Sequence, residues 1–408
     1  MAITLPKTLR ASLLSEIAQG FSETTVEHGS FLSLPSRMWR LHELVHKGSA
    51  TAQALEICLG EQHISTFVTS EVWKRTLGDW EPDAPPEPFE EKFGKATPSE
   101  WAESLVAGLE SLPWQYTAYA PFPGDIPVGL LENALHSLTP SITLVPGQVL
   151  AATIPKKANG LRDLLGNNGF QWHAHLIYTR IEFEGYIPRR GDSESAHQLM
   201  HLTLSLYGIA LALGLLIQDP WRNRTRTSPF YAHYIFRLES QTASHVTNLG
   251  FDPSHVKMLE ELGNFTAVRH SKTPASLYLK AAEIGKILAK ASPRLLNAAR
   301  WYFDSHCGSS DQVRFVQICT ALEVLLGDEK QGREAGLAAL MANRCAYFLG
   351  RSDQERKKIN EGFRDGYDIR SKIVHAGKNK LSGTDRAHFH YMQQLCASII
   401  KKECGEVT

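Results

Sequence analysis

Residues 367–377 read YDIRSKIVHAG and lie close to the C-terminal end of the 408-residue chain. With the residues before them they predict an amphipathic helix, because apolar side chains recur at intervals of four and seven residues. The members of this apolar stripe are Ile359, Phe363, Tyr367 and Val374. Arg370 falls on the same stripe, where an aliphatic residue is expected. A guanidinium keeps its charge at physiological pH, so its burial without a partner is costly.

A second charged residue lies on an apolar helix face in the same part of the chain. The sequence predicts a helix from Asp311 to Leu326 that stops at Gly327. One face of this helix carries Val316, Cys319, Glu323 and Leu326. Because buried charges persist only when they are compensated, we expect Glu323 to pair with Arg370 and to hold its guanidinium in a fixed pose.

His375 follows Arg370 after four intervening residues and falls in the last turn of the predicted helix, because Gly377 is a typical left-handed C-terminal residue. A permanent cation near a titratable base suits phosphodiester chemistry, in which the cation neutralises the phosphate and the base transfers protons. The same spacing recurs elsewhere in the chain, so spacing alone decides nothing. The residues therefore leave a second interpretation open, in which Glu323 and Arg370 form a structural bridge and His375 is a polar helix end.

The surroundings of this pair resemble the Apea-like branch of the HEPN superfamily. That family combines a helix that ends in an LEaLL-type run with a helix of the pattern Y-D-x-R-S-x-x-x-H-x-G. The first run is ALEVLLG at residues 321–327 here, and the resemblance covers roughly residues 290–402. The second pattern is matched by Tyr367, Asp368, Arg370, Ser371, His375 and Gly377. The family's closing HG is one residue looser here, because Ala376 separates the histidine from the glycine.

The resemblance implies a metal-independent endoribonuclease that uses no cofactor. The RNA 2′-hydroxyl would attack the adjacent phosphate and leave a 2′,3′-cyclic phosphate. His375 would be the general acid or base, and Arg370 would stabilise the pentacoordinate phosphorane. The supporting residues would be Glu323, Ser371, Asp368 and Tyr367. A catalytically inactive HEPN module, which serves RNA binding or dimerisation, is the alternative.

The resemblance also implies partners and a cellular role. HEPN proteins of this kind are homodimers in which the C-terminal motif helices face each other. The RNA target would be tRNA or another cellular RNA. Apea-like members are associated with prokaryotic antiviral defence, which implies a toxin for abortive infection with a phage-derived trigger sensed by the N-terminal region.

The chain as a whole predicts an α+β fold with two regions. Residues 1–270 form a mixed α/β region for sensing or regulation, and residues 275–408 form an all-α, HEPN-like helical bundle. The first region contains a Pro/acid-rich loop at 79–98, strands between about 114 and 187, and a buried helix at 198–217. The predicted strands cover residues 116–120, 141–144, 149–154 and 172–184. The apolar run at 202–217 is too short for a bilayer span, which favours a helix buried in the protein.

Composition and charge place few limits on function. Lys and Arg number 43 and Asp and Glu also 43, which argues against a protein that coats nucleic acid. From Pro293 onward, 18 basic residues face 14 acidic ones, a mild excess that suits a phosphate-bearing ligand. The six cysteines form no CxxC pair and the first residues show no signal peptide, so we expect a reducing, cytoplasmic location without a membrane span.

A metal-dependent hydrolase is the third hypothesis that the sequence raises. His173 and His175 are predicted to share one face of the strand at 172–184, where two imidazoles can lie side by side. No third ligand stands at a typical spacing, so the sheet face is the favoured interpretation and no metal site is predicted.

Overall fold

A computed structural model describes residues 3–76, 81–94, 96–123, 136–154, 172–188, 193–218, 231–239, 242–264, 274–328 and 336–407. The fold is α+β with a helical C-terminal region, as the sequence predicts. The chain forms two compact units: unit 1 comprises residues 1–118, 182–199 and 234–249, and unit 2 comprises residues 119–181, 200–233 and 250–408. The expected boundary at 270–275 does not coincide with this division, since unit 2 also takes elements from earlier in the chain.

The strands form three sheets among the described residues. They are β1 (Thr25–Glu27), β2 (Phe31–Ser33), β3 (Glu87–Pro88), β4 (Trp114–Pro121), β5 (His136–Thr139), β6 (Ile142–Pro146), β7 (Ile177–Gly185), β8 (Leu216–Gln218), β9 (Ala232–Glu239), β10 (Thr242–Gly250) and β11 (Leu262–Asn264). The sheet orders are β2-β1-β3, β10-β9-β4-β7-β6-β5 and β11-β8. Strands β6 and β7 pair antiparallel with Leu144 opposite Thr179.

The helices account for most of the remaining described residues. They are α1 (Lys7–Glu23), α2 (Ser36–Trp39), α3 (Ala50–Leu59), α4 (His63–Thr76), α5 (Phe89–Phe93), α6 (Pro98–Glu110), α7 (Gly147–Thr153), α8 (Glu194–Ala212), α9 (Pro253–Glu261), α10 (Pro274–Lys290), α11 (Pro293–Cys307), α12 (Asp311–Leu326), α13 (Leu337–Leu349), α14 (Asp353–Ala376) and α15 (Gly383–Val407). A 3₁₀ turn covers Leu41–Leu44. No helix of the described ranges is both long and apolar enough to cross a membrane.

The strand predictions are right for β4 and β6 and wrong in two other places. Residues 149–154 belong to helix α7, because Ala151 and Ala152 favour a helix over a pleated strand. The strand predicted at 172–184 begins only at Ile177, after a turn. The strands β9 and β10 were not predicted. Parts of the predicted loop, at 79–80 and 95, and parts of the predicted strand region, at 124–135 and 155–171, lie outside the described residues.

The Pro/acid-rich segment is more ordered than the predicted loop. It contains the edge strand β3 and the one-turn helix α5, because Phe89 is buried in unit 1. The Phe89 ring lies 4.7 Å from Phe21 and 5.4 Å from Trp101, measured between ring centroids. Helix α6 then begins at a capping box formed by Thr97 and Glu100.

The core of unit 2 joins sheet residues to the C-terminal helices. The sequence predicts a buried helix at 198–217. In the structure this helix, α8, ends at Ala212, and strand β8 begins at Leu216. At Gly208 a Cβ atom would lie 1.9 Å from the Ala299 carbonyl oxygen, so the backbones of α8 and α11 touch there. The Ser205 hydroxyl donates to the Leu296 carbonyl at 2.8 Å at the same crossing. This packing supports the helices α12 to α15, which carry the predicted site.

Candidate active site

Helices α12 and α14 lie against each other and run in opposite directions. Glu323, near the end of α12, contacts Tyr367 and Arg370 of α14. Gln312, near the start of α12, donates to the Asn379 carbonyl just beyond the end of α14. Helix α12 has the bounds that the sequence predicts. The C-terminal half of α14, which carries the motif, therefore lies along α12.

Both ends of α14 are set by local side-chain and backbone chemistry. The Ser352 hydroxyl accepts from the backbone N–H of Glu355 at 3.2 Å, which satisfies one free donor of the first turn. The Glu355 carboxylate accepts from the N–H of Arg351, so Ser352 and Glu355 do not form a complete capping box. Gly377 adopts φ 64° and ψ 31°, the left-handed conformation that ends a helix. The helix therefore stops directly after His375 and Ala376.

The Glu323 carboxylate is the centre of a polar cluster between α12 and α14. Its Oε1 atom accepts from the Tyr367 hydroxyl at 2.7 Å and lies 3.3 Å from Nη2 of Arg370. The predicted pairing of Glu323 with Arg370 is therefore confirmed. The two side chains keep 25% and 23% of their surface exposed, so solvent screens the pair more than full burial would.

Tyr367 holds the cluster together from the α14 side. The guanidinium carbon of Arg370 lies 5.5 Å from the centre of the Tyr367 ring, within the range of a cation–π contact. Burial raises the pKa of the Tyr367 hydroxyl, and its hydrogen bond to Glu323 raises it further. Tyr367 is therefore a neutral hydrogen-bond donor to Glu323 at physiological pH.

The Nε atom of Arg370 is buried and has no acceptor within the described ranges. A buried donor without a partner costs about 1–3 kcal/mol, because it has lost its bond to water without gaining another. Glu323 engages only the far end of the guanidinium, so the rest of this permanent cation keeps its capacity to donate.

The remaining motif residues lie on the opposite, exposed side of α14. Asp368, Ser371 and His375 are all exposed. Within the parts of the chain that the structure describes, none of them has a side-chain hydrogen bond or an ion pair. The structure thus brings Glu323 and Arg370 together and separates them from His375.

The predicted apolar stripe needs one correction. Val374 is 46% exposed, although the sequence places it on the buried face. The buried residues of α14 are Phe363, Gly366 and Ile369. Val374 lies only about 20° around the helix from the buried Phe363, so its exposure comes from its position in the last turns of α14 and not from its angular position.

Gly366 is a structural feature of the site that the sequence analysis did not single out. A Cβ atom there would lie 2.8 Å from the Sδ atom of Met392, so the absence of a side chain lets α15 pack closely on α14. Gly362, one turn earlier, faces Tyr391 in the same way. The sequence signal for this close helix packing is a pair of glycines four residues apart inside an amphipathic helix.

A second polar cluster of unit 2 was also missed. His255 Nε2 lies 2.9 Å from Asp304 Oδ1, and Arg300 Nε lies 3.7 Å from Asp304 Oδ2. Asp304 is buried, with 5% of the residue exposed. The i,i+4 spacing of Arg300 and Asp304 was visible in the sequence, but the contribution of His255 from helix α9 was not.

An open groove lies at the C-terminal end of α12, one turn beyond Glu323. Its volume is about 680 Å³. Arg294 and Arg344 line it and donate to the carbonyls of Leu325 and Leu326, at 3.2 and 2.8 Å respectively. The two guanidiniums thus satisfy carbonyls that the helix end leaves without partners.

His173 and His175 do not form the strand pair that the sequence predicts. Both lie in the turn before β7, and their ring centroids are 5.7 Å apart. The turn forms because the His173 carbonyl accepts from Leu176 N–H at 3.0 Å. Burial lowers the pKa of His173, and repulsion from His175 lowers it further. No group of three or more potential metal ligands occurs in the described portion of the chain.

Comparisons with protein-family models, with curated proteins and with solved structures found no match to the chain. The candidate site therefore has to be interpreted from its own residues and geometry.

Proposed function

We propose that the chain is a metal-independent endoribonuclease of the HEPN type, with Arg370 and His375 as its catalytic residues. The observation that carries the proposal is the state of Arg370. Glu323 and Tyr367 fix one end of its guanidinium, while its buried Nε has no acceptor among the described residues. A fixed permanent cation with an unused donor suits a phosphate oxygen.

In the proposed reaction, His375 accepts the proton of an RNA 2′-hydroxyl as this oxygen attacks the adjacent phosphorus. The bond from phosphorus to the 5′-oxygen then breaks, and this leaving oxygen takes a proton from a general acid. The products are a 2′,3′-cyclic phosphate and a free 5′-hydroxyl. Arg370 stabilises the negative charge that builds on the phosphorane, a role for which a prepositioned cation is well suited. No water, oxidant or cofactor is consumed in this step.

The geometry of a single α14 argues for a dimeric site. Arg370 and His375 are five positions apart and point about 140° away from each other, so one helix directs them poorly at one phosphate. Two copies of α14 facing each other would supply an arginine from one chain and a histidine from the other. The exposed Val374 beside His375 offers an apolar contact for such an interface. We therefore propose a homodimer through the C-terminal helices.

The cellular role follows from the resemblance of the motif and is part of the same proposal. The target is RNA, either tRNA or another cellular RNA, in the cytoplasm. Cleavage of host RNA during phage infection is abortive defence, and unit 1 or the strands of unit 2 would receive the phage-derived trigger.

The test is cleavage of purified tRNA and of a synthetic single-stranded RNA in excess EDTA, with analysis of the product ends. We expect the wild-type chain to leave cyclic phosphates, and His375→Ala to lose about 10²–10⁴-fold in rate, the usual contribution of one general acid or base. Arg370→Lys should also lose cleavage, because an ammonium does not reproduce the planar guanidinium fork.

Two results would oppose the proposal. Wild-type protein that is inert in EDTA and cleaves after metal is added would refute the mechanism. Wild-type protein that binds RNA without cleaving it under any condition would support the second candidate, an inactive HEPN module. The engagement of Arg370 by Glu323 is the observation that favours this second candidate.

A further inference from the structure

The net charge of the segments on the two sides of Arg370 has opposite signs. Residues 353–369, which form most of α14, contain four basic and five acidic residues. Residues 370–386, which comprise the last turns of α14, the segment after it and the first turn of α15, contain five basic residues and one acidic residue. The region from Arg370 to Arg386 is therefore positive compared with the beginning of the motif helix.

Three of the five cations in residues 370–386 are already compensated. Arg370 pairs with Glu323, Arg386 lies 2.9 Å from Asp311, and Lys378 lies 2.6 Å from Asp385. The Lys378 ammonium lowers the pKa of the Asp385 carboxyl to about 2, so this acid stays ionised. These pairs leave little net charge of their own on the surface.

Lys372 and Lys380 are the other two cations of this segment, and both are exposed. Neither has an ion pair within the described parts of the chain. Lys372 precedes His375 by three residues, a spacing that places two Cβ atoms about 5–6 Å apart on one helix face. Arg370 points elsewhere, toward Glu323. Within one protomer, the cation nearest to His375 along the exposed face is therefore Lys372.

We propose that Lys372 is a phosphate-binding residue, whose ammonium contacts the backbone of a single-stranded RNA beside His375. This inference rests on the proposed ribonuclease function and adds a substrate contact to it. Arg370 would approach the scissile phosphate from the partner protomer, while Lys372 binds the strand from the same helix as His375. A flexible ammonium suits this role, because it neutralises phosphates without fixing one geometry.

Lys358 provides a matched control on the same helix. It is exposed and 14 residues before Lys372, so it lies about 21 Å away along the axis and within about 40° of the same angular position. Glu355 and Glu361 stand three residues to either side of it. Lys358→Gln and Lys372→Gln remove the same charge from the same face, but only one of them removes it next to His375.

The experiment measures binding of a fluorescent oligodeoxyuridylate, which lacks the 2′-hydroxyl and cannot be cleaved, to the full chain over a range of KCl concentrations. We expect Lys372→Gln to weaken binding and to lower the slope of log affinity against log salt by about 0.7, the value for one lost phosphate contact in a single strand. Lys372→Arg should restore both quantities, and Lys358→Gln should match the wild type. Equal behaviour of the two Gln variants would overturn the inference.

Cleavage of the corresponding RNA in EDTA, measured in parallel, separates this inference from the proposed function. If the wild type cleaves and Lys372→Gln binds and cleaves as the wild type does, the ribonuclease assignment stands and the role of Lys372 is wrong. If the wild type binds with a salt slope that depends on Lys372 but does not cleave, the contact stands and the ribonuclease assignment fails. Absence of any binding by the wild type contradicts the phosphate contact directly.

Discussion

Two clusters of unit 2 each place an arginine beside a carboxylate, and they differ in whether the nearby histidine is exposed. At the α12–α14 cluster, Glu323 and Arg370 engage each other while the nearby histidine of the motif stays in solvent. At the α9–α11 cluster, the histidine itself is bound, because His255 lies 2.9 Å from the buried Asp304. In both clusters the Nε of the arginine is buried without an acceptor among the described residues.

The difference shows that an arginine, a carboxylate and a histidine do not by themselves make a catalytic site. A histidine locked to a buried carboxylate stabilises the packing of α9 on α11, and its Nδ1 is buried as well. A histidine in solvent can reach a substrate proton, which is the first requirement for a general base. We therefore expect substitutions in the α9–α11 cluster to reduce stability and substitutions in the α12–α14 cluster to reduce activity.

The largest stability effect should come from Asp304→Ala. It leaves His255 and Arg300 without their carboxylate, and we expect a loss of about 3 kcal/mol, the low end for a broken buried pair, because Arg300 is partly exposed. Glu323→Ala should cost less, about 1–2 kcal/mol, because solvent reaches its pair. Urea unfolding of the full chain at one pH gives both values from the shift in midpoint.

Asp365→Ala is the control for this comparison, because Asp365 is an exposed acid of α14 without an ion pair within the described ranges. Its free energy of unfolding should stay within about 0.5 kcal/mol of the wild-type value. If Glu323→Ala proves as costly as Asp304→Ala, the α12–α14 cluster is as structural as the other one. That result would remove the main physical argument for a functional Arg370.

A smaller effect is expected for Tyr367→Phe, which removes only the hydroxyl that donates to Glu323. The ring remains, so the cation–π contact with Arg370 is kept. We expect a stability loss of about 1 kcal/mol, typical of one hydrogen bond. Cleavage should fall less than in Arg370→Lys, because Glu323 still holds the guanidinium. A variant as inactive as Arg370→Lys would show that Tyr367 itself takes part in the reaction.

Local chemistry explains which parts of the fold the sequence predicted. Helix ends that depend on one residue type were predicted, as at Gly327 and Gly377. The pairing of Glu323 with Arg370 was also predicted, because each interrupts an apolar stripe and a buried charge needs a partner. These inferences need only periodicity and the cost of burying charge.

Tertiary contacts explain what the sequence could not predict. The cluster around Asp304 joins residues 49 positions apart on helices whose relative placement no local pattern encodes. The exposure of Val374 depends on which turn of α14 faces its neighbours, and its stripe position alone gave the wrong answer. The residues of β9 and β10 gave no prediction of strands.

The smallest expected effect is a loss of stability in acid, and it arises beside the α9–α11 cluster. His201 lies near Arg300 and Asp304, and its pKa is lowered chiefly by burial and further by repulsion from Arg300, whereas a hydrogen bond to Asn297 opposes the shift. Since the folded pKa lies below the unfolded value of about 6.5, the unfolded chain binds more protons below that pH. The contribution of neutral His201 to stability is therefore fully present above pH about 6.5, and it decreases as the pH falls toward the lowered pKa.

We expect His201→Gln to reduce this loss of stability in acid, measured as the shift in urea midpoint, and Asn297→Ala to increase it. Unchanged acid sensitivity in both variants would show that protonation of His201 is not linked to unfolding.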